Sequence, residues 1–195
     1  MITGVVLAAG TSSRFGRTKQ LELVGAKPLV QHAVDALAGA GLDEIILVLG
    51  HDAERAREVV RFPATARWVL NLAYSSGMAG SLATGLRAAD PGSEAAVVLL
   101  ADQPGVTAQH VRSLVEAFAA RHAPIVRLSF RSGPGPALLS REVWAEAEEL
   151  EGDVGARILM ERHPELVEDV IVGGDAPRDV DTPEDLERVR EGHRY

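Results

Sequence analysis

The sequence contains no cysteine among its 195 residues, and this absence removes two classes of structure. Without thiols the chain can form neither a disulfide framework nor a thiolate metal site. The six histidines show no ligand spacing, so a zinc site has little support either. We therefore expect a fold that rests on a hydrophobic core, for which a hydrophobic content of 46% is ordinary.

Long hydrophobic runs are missing as well. The apolar run over residues 2–9 is too short to cross a bilayer and has no basic lead-in. The formal net charge of −8 argues against general binding to nucleic acid. The length suits one domain, and no linker or low-complexity tract divides the chain. We expect residues 1–195 to form a single cytoplasmic domain that binds neither nucleic acid nor membrane.

Lysine is scarce: the chain has only two lysines, Lys19 and Lys27, and both lie within its first 30 residues. Arg14 and Arg17 lie in the same stretch, where Glu22 is the one acidic residue. The chain therefore carries a local positive patch on an acidic body, which suits a small anionic ligand. All basic residues other than Lys19 and Lys27 are arginine. The lysine at position 19 therefore indicates a place that requires a compact ammonium group.

Short apolar runs alternate with segments of helical period along the chain. The helical segments include residues 28–41 and 107–121, each with apolar residues on one face. This alternation predicts an α/β three-layer sandwich around a mostly parallel, twisted sheet. The Gly/Pro-rich stretch 131–137 predicts a turn, and helix returns over 140–163. The predicted strands are residues 3–8, 44–49, 66–70, 95–100, 124–129 and 166–172.

The stretch "LAAGTSSRFGRTK", residues 7–19, follows the first predicted strand. In an open α/β sheet, ligands bind beyond the carboxyl ends of the strands. Gly10 lets backbone N–H groups approach an anion, Ser12 adds a hydroxyl, and Arg14 and Lys19 are cations suited to phosphate. The stretch fits neither the dinucleotide fingerprint nor the P-loop pattern. It predicts an anion site of unspecified type, with a solvated Gly/Ser loop as the alternative.

We expect three aspartates to lie at the same edge of the sheet as this loop. Asp102 comes directly after the buried run "VVLL", and Asp179 and Asp181 precede the C-terminal helix. Thr182 and Asp185 are explained by helix capping, but the two earlier aspartates are not. Two carboxylates that act together with substrate phosphates are typical of a Mg²⁺ site. Taken singly, each could instead face solvent or cap a helix.

These segments together resemble the MobA-like NTP transferases, most closely the molybdenum cofactor cytidylyltransferase branch. "LAAGTSSRFGRTKQL" resembles the family signature L-A-A-G-x-S-x-R-M-G-x-x-K. Four further segments resemble family elements in the same order, and these are "SSGMAGSLATGL", "LADQP", "EGDVGAR" and "DVDTPEDL". The resemblance covers nearly the whole chain. It implies a Rossmann-like nucleotidyltransferase fold of the glycosyltransferase-A type.

The resemblance also implies roles for individual residues. It implies that Arg14, Lys19 and Asp102 are catalytic, and that Asp102 and Asp181 rather than Asp179 hold Mg²⁺. Ser12 would bind the triphosphate together with the two cations. The implied nucleotide site as a whole consists of Ala8, Gly10, Ser12, Arg14, Lys19, Ser81 and Asp102.

The implied reaction is attack of an acceptor phosphate on the α-phosphorus of an NTP, with release of pyrophosphate. An acceptor phosphate is already largely ionised at neutral pH, because its second pKa is about 6, so no general base is required. The branch implies CTP as donor and molybdopterin as acceptor. The CTP preference rests on "LAAG", since the guanylyl branch reads L-A-G-G. A partner protein that delivers the cofactor to a molybdoenzyme is left open.

Two departures from the family pattern bear on the function. Phe15 replaces the usual methionine, and Gly135-Pro136-Ala137 lacks the histidine of a G-H-P motif, which leaves the acceptor open. The alternatives are a GTP-dependent guanylyltransferase, a cytidylyltransferase of isoprenoid precursor synthesis and a sugar-phosphate nucleotidyltransferase. From other classes come a catalytically idle nucleotide-binding regulator and a nicotinamide oxidoreductase. The missing dinucleotide fingerprint argues against the oxidoreductase.

Overall fold

The computed structural model describes residues 1–192, so the sixth histidine, His193, lies outside the described residues. The strands are β1 (Ile2–Ala8), β2 (Leu23–Val24), β3 (Lys27–Pro28), β4 (Glu44–Leu49), β5 (Ala66–Leu70), β6 (Ala95–Leu100), β7 (Ile125–Phe130), β8 (Gly133–Ser140) and β9 (Val167–Ile171). The α-helices are α1 (Leu29–Ala40), α2 (Ala53–Val59), α3 (Met78–Ala88), α4 (Ala108–Arg121), α5 (Trp144–Glu148), α6 (Arg157–Arg162) and α7 (Pro183–Gly192). Short 3₁₀ helices lie at Lys19–Leu21, Tyr74–Ser76, Arg141–Val143 and Pro164–Leu166.

A seven-stranded sheet with the order β5-β4-β1-β6-β8-β7-β9 forms the centre of the molecule. β1 lies between β4 and β6 and pairs in parallel with both, so that Val5 is opposite Ile46 and Val98. β8 runs antiparallel to β6 and β7, whereas β7 and β9 are parallel. The mostly parallel sheet predicted from the alternation of apolar runs and helical segments is confirmed.

Two hydrophobic layers cover the sheet, because successive side chains of a strand point to opposite faces. Val6 and Ala8 of β1 join the layer formed with α1, α2 and α4. Val5 and Leu7 join the opposite layer, which contains α3, α5 and α6. These helices on both faces make the three-layer sandwich that the sequence predicted. Among the described residues no helix has the length and apolar character needed to cross a membrane.

A third, smaller hydrophobic cluster packs the loop after β1 against the C-terminal segment. It consists of Phe15, Val24, Leu29, Val180 and Leu186. Phe15 comes from the loop after β1, and Leu186 lies on α7, so their burial brings the N-terminal loop against the C-terminal segment. Phe15, which stands where the family has methionine, therefore fills a packing position in this cluster.

The prediction of a turn over residues 131–137 is wrong. The turn is limited to residues 131–132, and β8 begins at Gly133, opposite Phe130. Proline is tolerated here because the pairing with β6 starts only at Ala137, which leaves Pro134 and Pro136 ahead of that ladder. A bulge in the β7–β8 pairing further relaxes the ladder at this point. Proline and glycine therefore mark the start of a strand and not a loop.

Local hydrogen bonds and backbone geometry define several helix ends. Gly41 ends α1 with a φ of 80°, a left-handed conformation that glycine adopts readily. Thr107 caps α4, since its hydroxyl accepts a hydrogen bond from His110 N at 3.3 Å. Before α7, Asp185 accepts a hydrogen bond from Thr182 N at 2.9 Å, as the capping pattern predicts.

The close packing of α3 on the sheet predicts opposite effects for two glycines in that helix. A Cβ at Gly85 would lie 2.5 Å from Val5 Cγ1 and 3.1 Å from Val48 Cγ2, both in the buried core. Gly85→Ala should therefore lower the free energy of unfolding by about 1–3 kcal/mol through overpacking. A Cβ at Gly80 meets its nearest neighbour, Asn71 Nδ2, at 3.5 Å, an ordinary contact.

Gly80→Ala is thus the matched control for Gly85→Ala. It should raise the free energy of unfolding by up to about 1 kcal/mol, because alanine loses less backbone entropy than glycine in a helix. Urea unfolding followed by circular dichroism measures both changes. Destabilisation of similar size in the two variants would contradict the packing described here.

Candidate active site

A cavity of about 670 Å³ opens at the carboxyl ends of β1 and β6. This is a volume typical of small-molecule sites. Its lining comes from the loop after β1, the segment leading into α3, the end of β6, the loop before α6 and the segment before α7. The lining residues are Leu7, Ala9, Gly10, Thr11, Ser12, Ser13, Arg14, Phe15, Lys19, Gln20, Tyr74, Ser75, Ser76, Gly77, Met78, Ser81, Leu100, Asp102, Asp153, Asp179 and Asp181.

The loop after β1 is held in shape by its own hydrogen bonds. Ser12 adopts a left-handed conformation with a φ of 55°, and its carbonyl accepts a hydrogen bond from Phe15 N at 2.9 Å. The Ser12 hydroxyl accepts one from Lys19 N at 3.1 Å and donates one to Gln20 Oε1 at 3.0 Å. Gln20 Nε2 in turn donates to Gly10 O at 3.1 Å. The Ser12 hydroxyl therefore shapes the loop, and Gln20 closes it.

The charged groups of the cavity meet at Lys19. Its Nζ lies 2.7 Å from Asp102 Oδ2 and 2.8 Å from Asp181 Oδ1, and Arg14 Nη2 lies 3.2 Å from Asp181 Oδ2. Burial alone lowers the pKa of Lys19, but the two carboxylates outweigh burial and raise that pKa above its ordinary value. The hydrogen bond from Lys19 lowers the pKa of Asp181. Lys19 and Asp181 are therefore both charged at neutral pH.

Asp102 has one oxygen without a partner. Its Oδ1 is buried and makes no hydrogen bond, although a buried polar atom almost always has a partner. Carboxylate oxygens are the ligands that Mg²⁺ and similar cations prefer, and such ions complete their shell with water and phosphate oxygens. Among the described residues no group of three or more His, Cys, Asp or Glu side chains forms a full metal cage. Asp102 and Asp181 fit a divalent ion that also binds substrate oxygens.

The position of the two C-terminal aspartates follows from the burial of Val180 between them. Val180 is fully buried, and its N–H donates a hydrogen bond to Asp102 O at 3.0 Å. Asp181 reaches Lys19, whereas Asp179 accepts a hydrogen bond from Gln103 Nε2 at 2.7 Å. Burial, together with the charges of the other two aspartates, raises the pKa of Asp179 despite that hydrogen bond.

The wall opposite the carboxylates is built by close contact of two glycine-containing segments. Gly77 has a φ of 118°, and a Cβ there would overlap the carbonyl of Gly152. Gly155 leaves room for Met78, whose Sδ would lie 2.8 Å from an added Cβ. The segments "SSGMAGS" and "EGDVGAR" therefore form one wall, and this contact brings Asp153 to the cavity.

The structure brings most of the predicted site residues together. Ser81 lines the cavity, and its hydroxyl accepts a hydrogen bond from Asn71 Nδ2 at 3.0 Å. The Ala8 side chain is the exception, because it is buried in the layer under α1, while its neighbours in sequence line the cavity. Lys27 lies apart from the cavity lining and pairs with Asp35. The predicted residues in the lining are Gly10, Ser12, Arg14, Lys19, Ser81, Asp102 and Asp181.

Sequence reasoning missed other lining residues. Tyr74 reaches the cavity because Gly50 at the end of β4 lets it approach, as a Cβ there would lie 2.5 Å from Tyr74 Cβ. Gln20 stands beside Lys19 in the sequence, but its partners lie eight and ten residues earlier, which local patterns do not reveal. A segment similar to the family's acceptor side contained Asp153, yet no local signal singled it out.

Comparison with known proteins identifies the family to which this chain belongs. Residues 4–167 match the MobA-like NTP transferase domain. The chain belongs to this family. The match spans the loop after β1 and the strand end that carries Asp102, and it makes this chain a nucleotidyltransferase by family.

The similarity to individual family members extends over whole chains. This NTP transferase is 31% identical over 199 residues to the nicotine blue oxidoreductase of Paenarthrobacter nicotinovorans, with 96% of each chain covered. A crystal structure of the Rv0371c homolog from Mycobacterium sp. strain JC1 aligns with a TM-score of 0.85 at 36% identity and covers 98% of this chain and 96% of that one. Rv0371c of Mycobacterium tuberculosis H37Rv in complex with manganese aligns with a TM-score of 0.83 at 33% identity, covering 97% and 98%.

The hydrogen bonds inside the loop of this NTP transferase predict that Gln20 stabilises it. Gln20→Leu has a similar volume but removes the donor to Gly10 O and the acceptor of the Ser12 hydroxyl. The free energy of unfolding should fall by about 1–3 kcal/mol, and amide exchange over residues 10–16 should accelerate. Ser13→Ala is the control, since Ser13 is exposed on the same loop and should change stability by less than about 0.5 kcal/mol. Equal, small changes in both variants would mean that the loop does not depend on Gln20.

Proposed function

We propose that this protein transfers CMP from CTP to the terminal phosphate of molybdopterin, with Mg²⁺ as the metal. The observation that carries the proposal is the meeting of Lys19 with Asp102 and Asp181 beside the loop after β1, which lines the same cavity. A cation-rich loop and a pair of carboxylates at one sheet edge are what a metal-bound triphosphate requires. A reaction that consumes a nucleoside triphosphate also agrees with the cytoplasmic location expected from the sequence.

The loop after β1 and its two cations, Arg14 and Lys19, bind the nucleotide donor. Arg14 and Lys19 bind triphosphate oxygens and neutralise the charge that develops on the leaving pyrophosphate. Asp102 and Asp181 hold Mg²⁺, which supplies Lewis-acid polarisation of the phosphate oxygens when bound. Ser12 contributes through the backbone of the loop, because its hydroxyl is already engaged with Lys19 N and Gln20.

The nucleobase and the acceptor bind along the parts of the cavity lined by Ser81 and by the loop that carries Asp153. Ser81 and the backbone of the "LAAG" stretch flank the base and ribose, and the CTP preference rests on that stretch. The loop that carries Asp153 faces the remaining part of the cavity, where the acceptor binds. Since an acceptor phosphate is already ionised near neutral pH, the reaction needs no general base, and positioning and charge neutralisation suffice.

Calorimetric titration of CTP into the purified protein, with and without Mg²⁺, tests this proposal. CTP should bind in the presence of Mg²⁺, and Asp102→Asn should weaken that binding at least about tenfold, because it removes one charged metal ligand without changing shape. Asp175→Asn is the control: Asp175 pairs with Arg131 and is absent from the cavity lining, so this variant should bind CTP like the wild type.

The same titration with GTP, ATP and NADPH separates the alternatives. Preference for GTP would keep the reaction and replace the proposed donor. Tight binding of NADPH without CTP binding would favour the nicotinamide oxidoreductase that the sequence left as an alternative. Absence of binding by every nucleotide would reject the triphosphate site. Where CTP binds, incubation with molybdopterin should release pyrophosphate, and its absence would reject this acceptor.

A further inference from the structure

Lys19 places a cation between the two carboxylates that fit a divalent ion. Its ammonium contacts Asp102 Oδ2 and Asp181 Oδ1 at 2.7 and 2.8 Å, and its side chain is only 11% exposed. Asp102 Oδ1 nevertheless stays unpaired. The ammonium therefore bonds to one oxygen of each carboxylate but leaves one buried oxygen without a partner, as expected of a group that fills another cation's place incompletely.

The formal charges of the four groups that pair directly with one another balance. Lys19 and Arg14 carry two positive charges, which match the two negative charges of Asp102 and Asp181. A divalent ion on the same oxygens would lie close to the Lys19 ammonium, and like charges at that separation repel strongly in a partly buried site. Ion and ammonium therefore compete for the same carboxylate oxygens.

We propose that Lys19 is the counter-ion of the metal-free site, and that binding of a divalent cation releases its ammonium into the cavity to meet the phosphates of the substrate. The first half concerns the metal alone. The second half rests on the proposed function, because it requires a phosphate ligand. Binding of the metal and of the triphosphate then becomes cooperative, since each favours the state in which Lys19 has left the carboxylates.

The local structure permits this movement of the side chain alone. The backbone of Lys19 is fixed by the hydrogen bond from its N–H to the Ser12 hydroxyl at 3.1 Å, at the start of a 3₁₀ helix. Its four-carbon stem is flexible, and Lys19 already lines the cavity together with the loop over residues 10–15. A rotation of the stem therefore redirects the ammonium without rearranging the loop.

Titration of Mn²⁺ in the absence of nucleotide tests the first half, with free Mn²⁺ measured by electron paramagnetic resonance. Lys19→Met should bind Mn²⁺ about ten- to hundredfold more tightly than wild type, because the ion no longer displaces an ammonium bonded to its ligands. A lysine that helps to hold the metal would show the opposite. Equal or weaker binding by a folded Lys19→Met protein, or no Mn²⁺ binding by either protein, overturns the proposal.

Two control variants separate this effect from a general change in charge. Lys27→Met removes the chain's other lysine, which pairs with Asp35 outside the cavity lining. Arg17→Gln removes a positive charge near the loop that is bound to Glu22. Both should leave the Mn²⁺ affinity within about twofold of wild type. A tightening in these controls as large as that of Lys19→Met would assign the effect to net charge and overturn the proposal.

A second measurement uses only the wild-type protein, so its result does not depend on whether a variant folds. Because the chain has only two lysines, acylation with an amine-reactive ester can be followed at each by peptide mass spectrometry. Mn²⁺ alone should increase the acylation rate of Lys19 at least severalfold and leave that of Lys27 unchanged. An unchanged rate at Lys19 under saturating Mn²⁺ overturns the release.

The two proposals fail in different ways. If Mn²⁺ releases Lys19 but no nucleoside triphosphate protects it again from acylation, the counter-ion role stands and the proposed function fails. If CTP binds with Mg²⁺ while Lys19→Met leaves Mn²⁺ affinity unchanged, the proposed function stands and the counter-ion role is overturned.

Discussion

The burial of Val180 is the constraint on which the site depends. It joins Phe15 in the small cluster between the first loop and the C-terminal helix, and its N–H bonds to the carbonyl of Asp102. Val180 is fully buried, whereas its two neighbours in the sequence, Asp179 and Asp181, both line the cavity. One apolar contact thus fixes two carboxylates beside a third that lies far away in the sequence.

The rest of the site is held in place by its own hydrogen bonds and close contacts. Gln20 and the Ser12 hydroxyl hold the loop, and Gly77 lets two distant segments form the facing wall. Fixed donors and charges of this kind favour catalysis because they need little rearrangement when charge develops on a substrate. Lys19 differs, because its ammonium contacts the two carboxylates from the end of a flexible stem.

Local sequence patterns were sufficient for most of the architecture. Alternating apolar runs and helical segments predicted the parallel strands, and the capping pattern of Thr182 and Asp185 predicted the start of α7. The strand β8 was missed because Pro134 and Pro136 are turn signals locally, and only the pairing of neighbouring strands shows that they precede its ladder with β6. The turn propensity of a single segment does not show which strands that segment will pair with.

For the site, the sequence by itself determined the kinds of group available and the sheet edge to which they belong. Glycine and hydroxyl residues after β1, Asp102 after β6 and the D-V-D alternation are all properties of single segments. Only the tertiary structure decided that Lys19 bonds to Asp102 and Asp181, that Gln20 closes the loop, and that the Ala8 side chain faces the core. These outcomes depend on contacts between residues far apart in the chain, which packing creates and no local pattern contains.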